Sequence, residues 1–127
     1  MLSGHHVFAT IPAADLERAR TWYEEKLGLK PAREQEEEGL IYELADGSAF
    51  LLYSTTNAGQ APNTLATFDS NDVPSDVAAL KQRGVKFEDY DLPGLKTENS
   101  IASIGGLKAA WFKDSEGNIL AIGETIH

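Results

Sequence analysis

The chain offers few groups for nucleophilic or metal chemistry. It has no cysteine and three histidines, His5, His6 and His127. Adjacent residues of a strand face opposite sides, so His5 and His6 are poorly placed to hold one metal ion together. The hydroxyl side chains at 54–56 lack a nucleophile elbow and have no histidine near them in sequence. The missing cysteine also excludes a disulfide framework, a zinc finger and a thiol nucleophile.

The remaining chemistry lies in aromatic and carboxylate side chains. Trp111 offers a flat surface and one N–H donor, which suit stacking on a planar or cationic ligand, with plain sheet packing as the alternative. Tyr53 is either a pocket hydroxyl or a rim residue. Glu43 and Glu124 are the carboxylates best placed for proton transfer, with a solvated position as the alternative for each. The glutamate-rich run at 34–38 indicates a solvated edge or loop, and attraction of a cation is its second interpretation.

Composition predicts one soluble globular domain over residues 1–127. The chain is 42% hydrophobic and 24% charged, and its 20 acidic and 11 basic side chains give a net charge of −9. This charge argues against nucleic acid or an anionic membrane as a partner, because both need a surplus of Lys and Arg. It favours a neutral or cationic ligand. No targeting segment and no apolar run of about 20 residues is visible, so we expect a cytoplasmic protein.

The first half of the chain predicts a strand, a helix and three further strands. These elements are a strand at 6–11, a helix at 16–26 and strands at 31–36, 40–45 and 48–54. Pro12 is expected to end the first strand, because proline donates no ladder hydrogen bond. Asp15 is the predicted N-cap of the helix and Gly28 its C-terminal residue in left-handed conformation. Asp46 and Gly47 predict a two-residue hairpin turn.

The second half repeats this order. It predicts a strand at 64–68, a helix at 73–83 capped by Asp72 and closed by Gly84, a strand at 85–89, a polar loop at 91–99, a strand or loop at 101–104, and strands at 107–113 and 119–124. Gly28 and Gly84 lie 56 residues apart. The repeat predicts an α+β fold of two paired βαβββ modules, about 5–57 and 64–126. Their mixed sheets would form a cleft with the helices on the outer faces.

Two segments carry a family resemblance. Residues 14–23 (ADLERARTWY) with 26–29 (KLGL), and residues 112–120 (FKDSEGNIL), resemble the vicinal-oxygen-chelate superfamily. That superfamily includes glyoxalase I, fosfomycin resistance enzymes, extradiol dioxygenases and bleomycin resistance proteins. The second segment is similar to its closing hairpin, with Ser115 where proline is usual. The resemblance covers residues 6–124 and implies paired modules, a cleft and a homodimer.

The resemblance also implies positions for a divalent metal, on the first and fourth strands of each module. Carried onto this sequence, these positions are Phe8, Leu51, Leu65 and Ala121. None offers an imidazole or oxygen donor, and shifting the register by one residue supplies no ligand set. We therefore predict no metal, no cofactor and no metal-assisted chemistry.

Strand alternation predicts what lines the cleft instead. The predicted ligand-binding residues share one strand face and are mainly aromatic, aliphatic or hydroxyl-bearing: His6, Phe8, Thr10, Leu51, Tyr53, Leu65, Thr67, Trp111 and Ala121. No catalytic residue is assigned. The resulting hypothesis is a metal-free binding protein of the sequestration or resistance type, whose ligand is a small aromatic or cationic molecule.

Two alternatives remain open. One is an atypical lyase, isomerase or dioxygenase of the same superfamily, using His6, Tyr53 or Glu43 as a proton carrier or an unrecognised metal. The other is a structural or regulatory module whose cleft is plugged by Phe8 and Leu51.

Overall fold

The computed structural model of the chain describes residues 1–35 and 39–125. The first half contains β1 (Ala9–Ala13), α1 (Leu16–Leu27), β2 (Arg33–Gln35), β3 (Gly39–Glu43) and β4 (Ala49–Ser54). The second half contains β5 (Thr64–Asp69), α2 (Val73–Gln82), β6 (Asp91–Leu92), β7 (Leu95–Glu98), β8 (Ile101–Ile104), β9 (Leu107–Lys113) and β10 (Ile119–Gly123). Residues 36–38 of the glutamate-rich run, residue 126 at the predicted module end, and His127 lie outside the described residues.

The strands form two mixed sheets. The first has the order β1-β4-β3-β2 and the second the order β5-β10-β9-β8-β7-β6. In each sheet the first strand of the module pairs in parallel with the last, and the other pairs are antiparallel. The predicted α+β fold is confirmed, and the first module is the predicted βαβββ unit.

The second module departs from the prediction between its helix and β8. Segment 91–99 was expected to be a polar loop, and it forms the hairpin β6–β7 instead. Pro93 and Gly94 make its two-residue turn, with Gly94 at φ 79°, a conformation that proline followed by glycine readily supplies. Segment 85–89 was expected to be a strand, but its pairing reduces to a bridge between Phe87 and Phe112.

The predicted helix ends and hairpin turn are confirmed. The Asp15 side chain accepts from the Arg18 N–H at 3.0 Å, and that of Asp72 accepts from the Ser75 N–H at 3.2 Å. Gly28 has φ 70°. The turn before β4 places both Asp46 and Gly47 at positive φ, as a tight hairpin requires.

Pro12 was expected to end the first strand, and it lies inside β1. The strand is shifted toward the C-terminus, so residues 6–8 precede it. Pro12 is tolerated because β1 is an edge strand of its sheet. The Pro12 carbonyl, its one backbone hydrogen-bonding group, accepts from Asn118 Nδ2 at 2.7 Å and so points toward the second module.

Buried side chains from both halves form one hydrophobic core. Tyr23 of α1 lies at its centre, with ring centroids 5.8 Å from those of Tyr42 and Phe50. Trp22 of the same helix stacks at 6.2 Å on Phe112 of the second sheet. The helices therefore cover one face of the sheets. We call the opposite face, which alternation turns away from this core and which is the predicted cleft side rather than the helix side, the outer face.

The outer face of the first sheet is only partly covered. Phe50 and Leu52 of β4 are buried against the core, whereas Ala49, Leu51 and Tyr53 between and beside them are partly exposed. The described residues include no helix long and apolar enough to cross a membrane.

Candidate functional site

Strand register brings four of the predicted residues together as two equivalent pairs. Thr10 lies beside Leu51 between β1 and β4, and Thr67 lies beside Ala121 between β5 and β10. Each pair joins the first and last strands of its module, and each first-strand member is a threonine. The two modules therefore present the same arrangement, one hydroxyl beside one aliphatic side chain, on their outer faces.

These pairs bear on the metal that the fold family implies. Two threonine hydroxyls, a leucine and an alanine lack the imidazole or carboxylate donors that a divalent ion needs. Phe8 lies before β1 and is 56% exposed, two residues from the register position that Thr10 occupies. No group of three or more His, Cys, Asp or Glu within residues 1–35 and 39–125 is arranged to hold an ion. The residues at these positions do not fit the family's metal.

The second sheet supplies the aromatic part of the site. Trp111 of β9 is registered beside Ala121 and is partly exposed. The Tyr90 ring packs edge-on against the Trp111 ring, with centroids 5.6 Å apart and planes at 76°. This contact restricts the Trp111 ring, while Trp111 itself stays partly exposed. Tyr90 was missed by the sequence analysis, because it falls where a strand was expected to give way to a loop.

Backbone pairing fixes this aromatic pair. The Glu88 N–H donates to the Trp111 carbonyl at 2.8 Å, which ties the segment before Tyr90 to β9. The Tyr90 N–H donates to Thr97 Oγ1 at 2.8 Å, and Thr97 Oγ1 donates to Asp89 Oδ1 at the same distance. Tyr90 is therefore held by β9 on one side and by β7 on the other.

Small residues form the floor beside Trp111. Ala121 is 4% exposed, and Gly123 lies two residues further along the same face of β10. A Cβ on Gly123 would lie 3.5 Å from Thr67 Cγ2 and 3.9 Å from Ala109 Cβ, so these three residues are contiguous. Ala121 and Gly123 are themselves buried, so the exposed part of this patch consists of Thr67 with the partly exposed Trp111 and Ala109.

The other predicted residues lie apart from this surface. His6 and Phe8 precede β1 and are exposed, and Tyr53 is partly exposed on β4. Leu65 lies at the register shift between β5 and β10, where it packs against the core. The carboxylates proposed for proton transfer are both engaged: Glu43 pairs with Arg33 at 3.2 Å, and Glu124 accepts from the Lys108 N–H at 2.7 Å.

The closing hairpin at 114–118 joins the modules. Asp114 accepts four hydrogen bonds, from the Tyr23 hydroxyl, the Asn118 amide side chain and the N–H groups of Glu116 and Asn118. Burial raises the pKa of Tyr23 well above its usual value, and the neighbouring Asp114 carboxylate adds to the effect. The family motif was recognised in the sequence, but its partners on α1 were not.

Glu116 makes the second set of contacts between the modules. Its carboxylate accepts from the Asp15 N–H at 2.8 Å and from Arg18 at 2.8 and 3.0 Å. Burial would raise the pKa of Glu116, but these hydrogen bonds and one from Ser115 outweigh it and lower the pKa to about 2. The start of α1 is thus held against the second module, which fixes the two sheets relative to each other.

Comparisons with known proteins agree with the resemblance. The family model described as "Glyoxalase/Bleomycin resistance protein/Dioxygenase superfamily" matches residues 4–122. No curated protein matches the sequence significantly.

Solved structures share the fold at low identity. A glyoxalase/bleomycin resistance protein from Catenulispora acidiphila is 23% identical, with a TM-score of 0.67 over 95% of this chain and 98% of that one. The antibiotic binding protein TnmS3 from Streptomyces sp. CB03234 is 21% identical, with a TM-score of 0.67 over 96% and 97%. A lactoylglutathione lyase from Agrobacterium tumefaciens is 15% identical, with a TM-score of 0.70 over 94% and 92%.

A binder and an enzyme thus share this fold, so the fold alone does not decide the function. The match over residues 4–122 does decide the family. The chain belongs to the glyoxalase/bleomycin resistance protein/dioxygenase superfamily.

Proposed function

We propose that the protein binds a small planar aromatic molecule on the outer face of its second sheet and sequesters it in the cytoplasm without a metal. The observation that carries the proposal is the edge-to-face pair of Trp111 and Tyr90 beside the floor of Thr67, Ala121 and Gly123. An indole held by a second ring presents a rigid stacking surface at little entropic cost. The likeness to the antibiotic binding protein TnmS3 supports the same class of function.

The metal-free part of the proposal rests on the two register pairs. Thr10 and Leu51, and Thr67 and Ala121, supply no imidazole or carboxylate for Lewis-acid chemistry. Elemental analysis of protein purified without a tag or chelator tests this part. Zinc, nickel, manganese or iron at one equivalent per chain would contradict it and favour an atypical enzyme.

Tryptophan fluorescence tests the ligand site. Trp22→Phe leaves Trp111 as the only tryptophan, and 2-naphthalenemethanol serves as a neutral planar probe. We expect this probe to quench Trp111 fluorescence with saturation. Trp111→Ala should weaken binding at least tenfold, and Trp111→Phe should weaken it less because a ring remains. The binding is measured by equilibrium dialysis, so that it does not depend on the fluorophore removed. Equal affinity in Trp111→Ala and the wild type would refute the assignment.

The homodimer implied by the family is part of the same proposal. Val7 and Phe8 are 94% and 56% exposed, and such large apolar side chains are often covered by a partner chain. Sedimentation equilibrium should give twice the chain mass of 13.8 kDa. Val7→Ser with Phe8→Ser should shift it to the monomer. Leu92→Ser, which alters a side chain also 56% exposed, should leave it unchanged.

A further inference from the structure

Two adjoining cavities open where the modules meet. The larger has a volume of about 640 Å³ and the smaller about 220 Å³. They share Leu44, Phe68 and Asp69, so we treat them as one feature and call it the seam groove. The volume of the larger cavity alone lies in the range of about 300–1,000 Å³ that is typical of small-molecule sites. Of the outer-face residues assigned above to the ligand, only Thr67 lines it.

The floor of the seam groove is apolar. Phe50 of the first sheet and Phe68 of the second meet edge to face, with centroids 6.3 Å apart and planes at 89°. Ile11 and Ala66 flank this pair in the larger cavity. The smaller cavity extends the apolar wall toward Leu80 and Phe112. A hydrocarbon or aromatic group bound there would contact apolar side chains of both modules and would lose its contact with water.

The charge of the seam groove is negative. Asp46 lines the larger cavity, Asp76 the smaller and Asp69 both. Asp46 and Asp69 are exposed, which places them at the solvent edge of the groove. Asp69 accepts from the Thr125 hydroxyl at 2.8 Å, and Asp76 accepts from that of Ser70 at 2.5 Å. Among the described residues lining either cavity, none is Lys or Arg.

We propose that the seam groove is a second binding site, for an amphiphilic organic cation. The apolar body of the ligand lies against Phe50 and Phe68, and its ammonium or guanidinium group lies at the edge near Asp46 and Asp69. A carboxylate-lined edge above an apolar floor attracts a cation and repels an anion of the same shape. The net charge of −9 adds a long-range attraction of the same sign. This inference is independent of the proposed stacking on Trp111.

The test compares three probes of one shape: 4-phenylbutylammonium, the neutral 4-phenylbutanol and the anion 4-phenylbutanoate. Amide chemical shifts of the full chain are followed by NMR at low and high salt. We expect the cation to shift the amides of Ala66, Phe68 and Asp69, with submillimolar affinity that weakens as salt rises. The alcohol should bind at least fivefold more weakly and the anion not measurably.

Variants then separate the charges from the fold. Asp46→Asn with Asp69→Asn keeps side-chain shape, and asparagine tolerates the positive φ of position 46. This double variant should lose at least tenfold in affinity for the cation. Asp91→Asn with Glu98→Gln removes two exposed charges elsewhere and should change affinity less than twofold.

Three outcomes would overturn the proposal. They are equal affinity for the cation and the alcohol, a matched loss in both double variants, and shifts centred on Trp111 rather than on Phe68. Trp111→Ala is measured in parallel. Cation binding that survives this substitution supports the seam groove as a separate site, even if Trp111 turns out to bind no planar ligand.

Discussion

The hydroxyl of Tyr23, on the first helix, donates a 2.6 Å hydrogen bond to Oδ2 of Asp114 in the closing hairpin, 91 residues along the chain. Both groups are buried, and the bond joins the two modules at the centre of the common core. The hairpin connects β9, which carries Trp111, to β10, which carries Ala121. This buried polar contact therefore lies next to the two strands that carry the proposed stacking surface.

Tyr23→Phe should destabilise the protein by about 1–2 kcal/mol, because the buried Asp114 carboxylate loses one of its donors. The control is Tyr42→Phe. Tyr42 is equally buried, but within the described part of the chain its hydroxyl has no hydrogen-bond partner. Removing that hydroxyl should cost less than about 0.5 kcal/mol or stabilise the fold. Urea unfolding measures both. Equal losses would show that Asp114 does not depend on Tyr23.

Glu116 predicts a pH dependence. Its pKa is about 2 in the folded protein, below the ordinary value of 4.5, so its ion pair stabilises the fold fully above pH 4.5. That contribution is lost as the pH falls from 4.5 toward 2, where the folded state also takes up the proton. Glu116→Gln removes the titration, so the difference in unfolding free energy from the wild type should shrink over this range. A difference that stays constant from pH 7 to pH 2.5 would contradict the assignment.

Gly59 tests how the connection between the modules docks on the hairpin. Its N–H donates to Asn118 Oδ1 at 3.2 Å, its φ is 76°, and a Cβ there would overlap the Glu116 carbonyl oxygen. Gly94 has nearly the same φ, 79°, but open space around it. Gly94→Ala should cost about 1–2 kcal/mol from backbone strain alone. Gly59→Ala should cost about 1–3 kcal/mol more, because backbone atoms must move apart. Similar Tm losses in both variants would show that the docking contributes little.

Local signals predicted much of the fold. Asp15, Asp72 and Gly28 cap their helices as expected, because capping depends on a few adjacent residues. The Asp46–Gly47 turn formed for the same reason. Pro12 was misjudged because its effect depends on which strand edge lies open, and neighbouring residues do not reveal that. The β6–β7 hairpin was missed because Pro93 and Gly94 are equally common in loops and turns.

The site was less predictable than the fold. Strand parity placed Thr10, Leu51, Thr67 and Ala121 on matching faces, since parity is a local property. It did not reveal that Tyr90 packs on Trp111, which depends on a segment docking beside β9. The seam groove was also not predicted, because its walls come from both modules and no sequence period relates them. Contacts between distant elements are what sequence patterns fail to specify.

The register of β1 predicts where a metal site could be built. Thr10 and Leu51 are directly registered neighbours on one face, so Thr10→His with Leu51→His would place two imidazoles side by side. This variant should bind Zn²⁺ or Ni²⁺ at micromolar concentrations and gain thermal stability when the metal is added, since binding favours the folded state. Phe8→His with Leu51→His is the matched control.

That control decides between two alignments of this chain with its family. Counting back along the sequence gave Phe8 as the metal position, whereas the structure places Phe8 before β1 and two residues from the partner of Leu51. Residue 8 precedes the paired strand, and its two-residue offset adds about 6–7 Å along the chain to its separation from position 51, so these two imidazoles are less well placed to share one ion. We expect a larger metal-induced rise in Tm in the Thr10 variant than in the Phe8 variant. A larger rise in the Phe8 variant would mean that β1 pairs with β4 two residues out of the register found here.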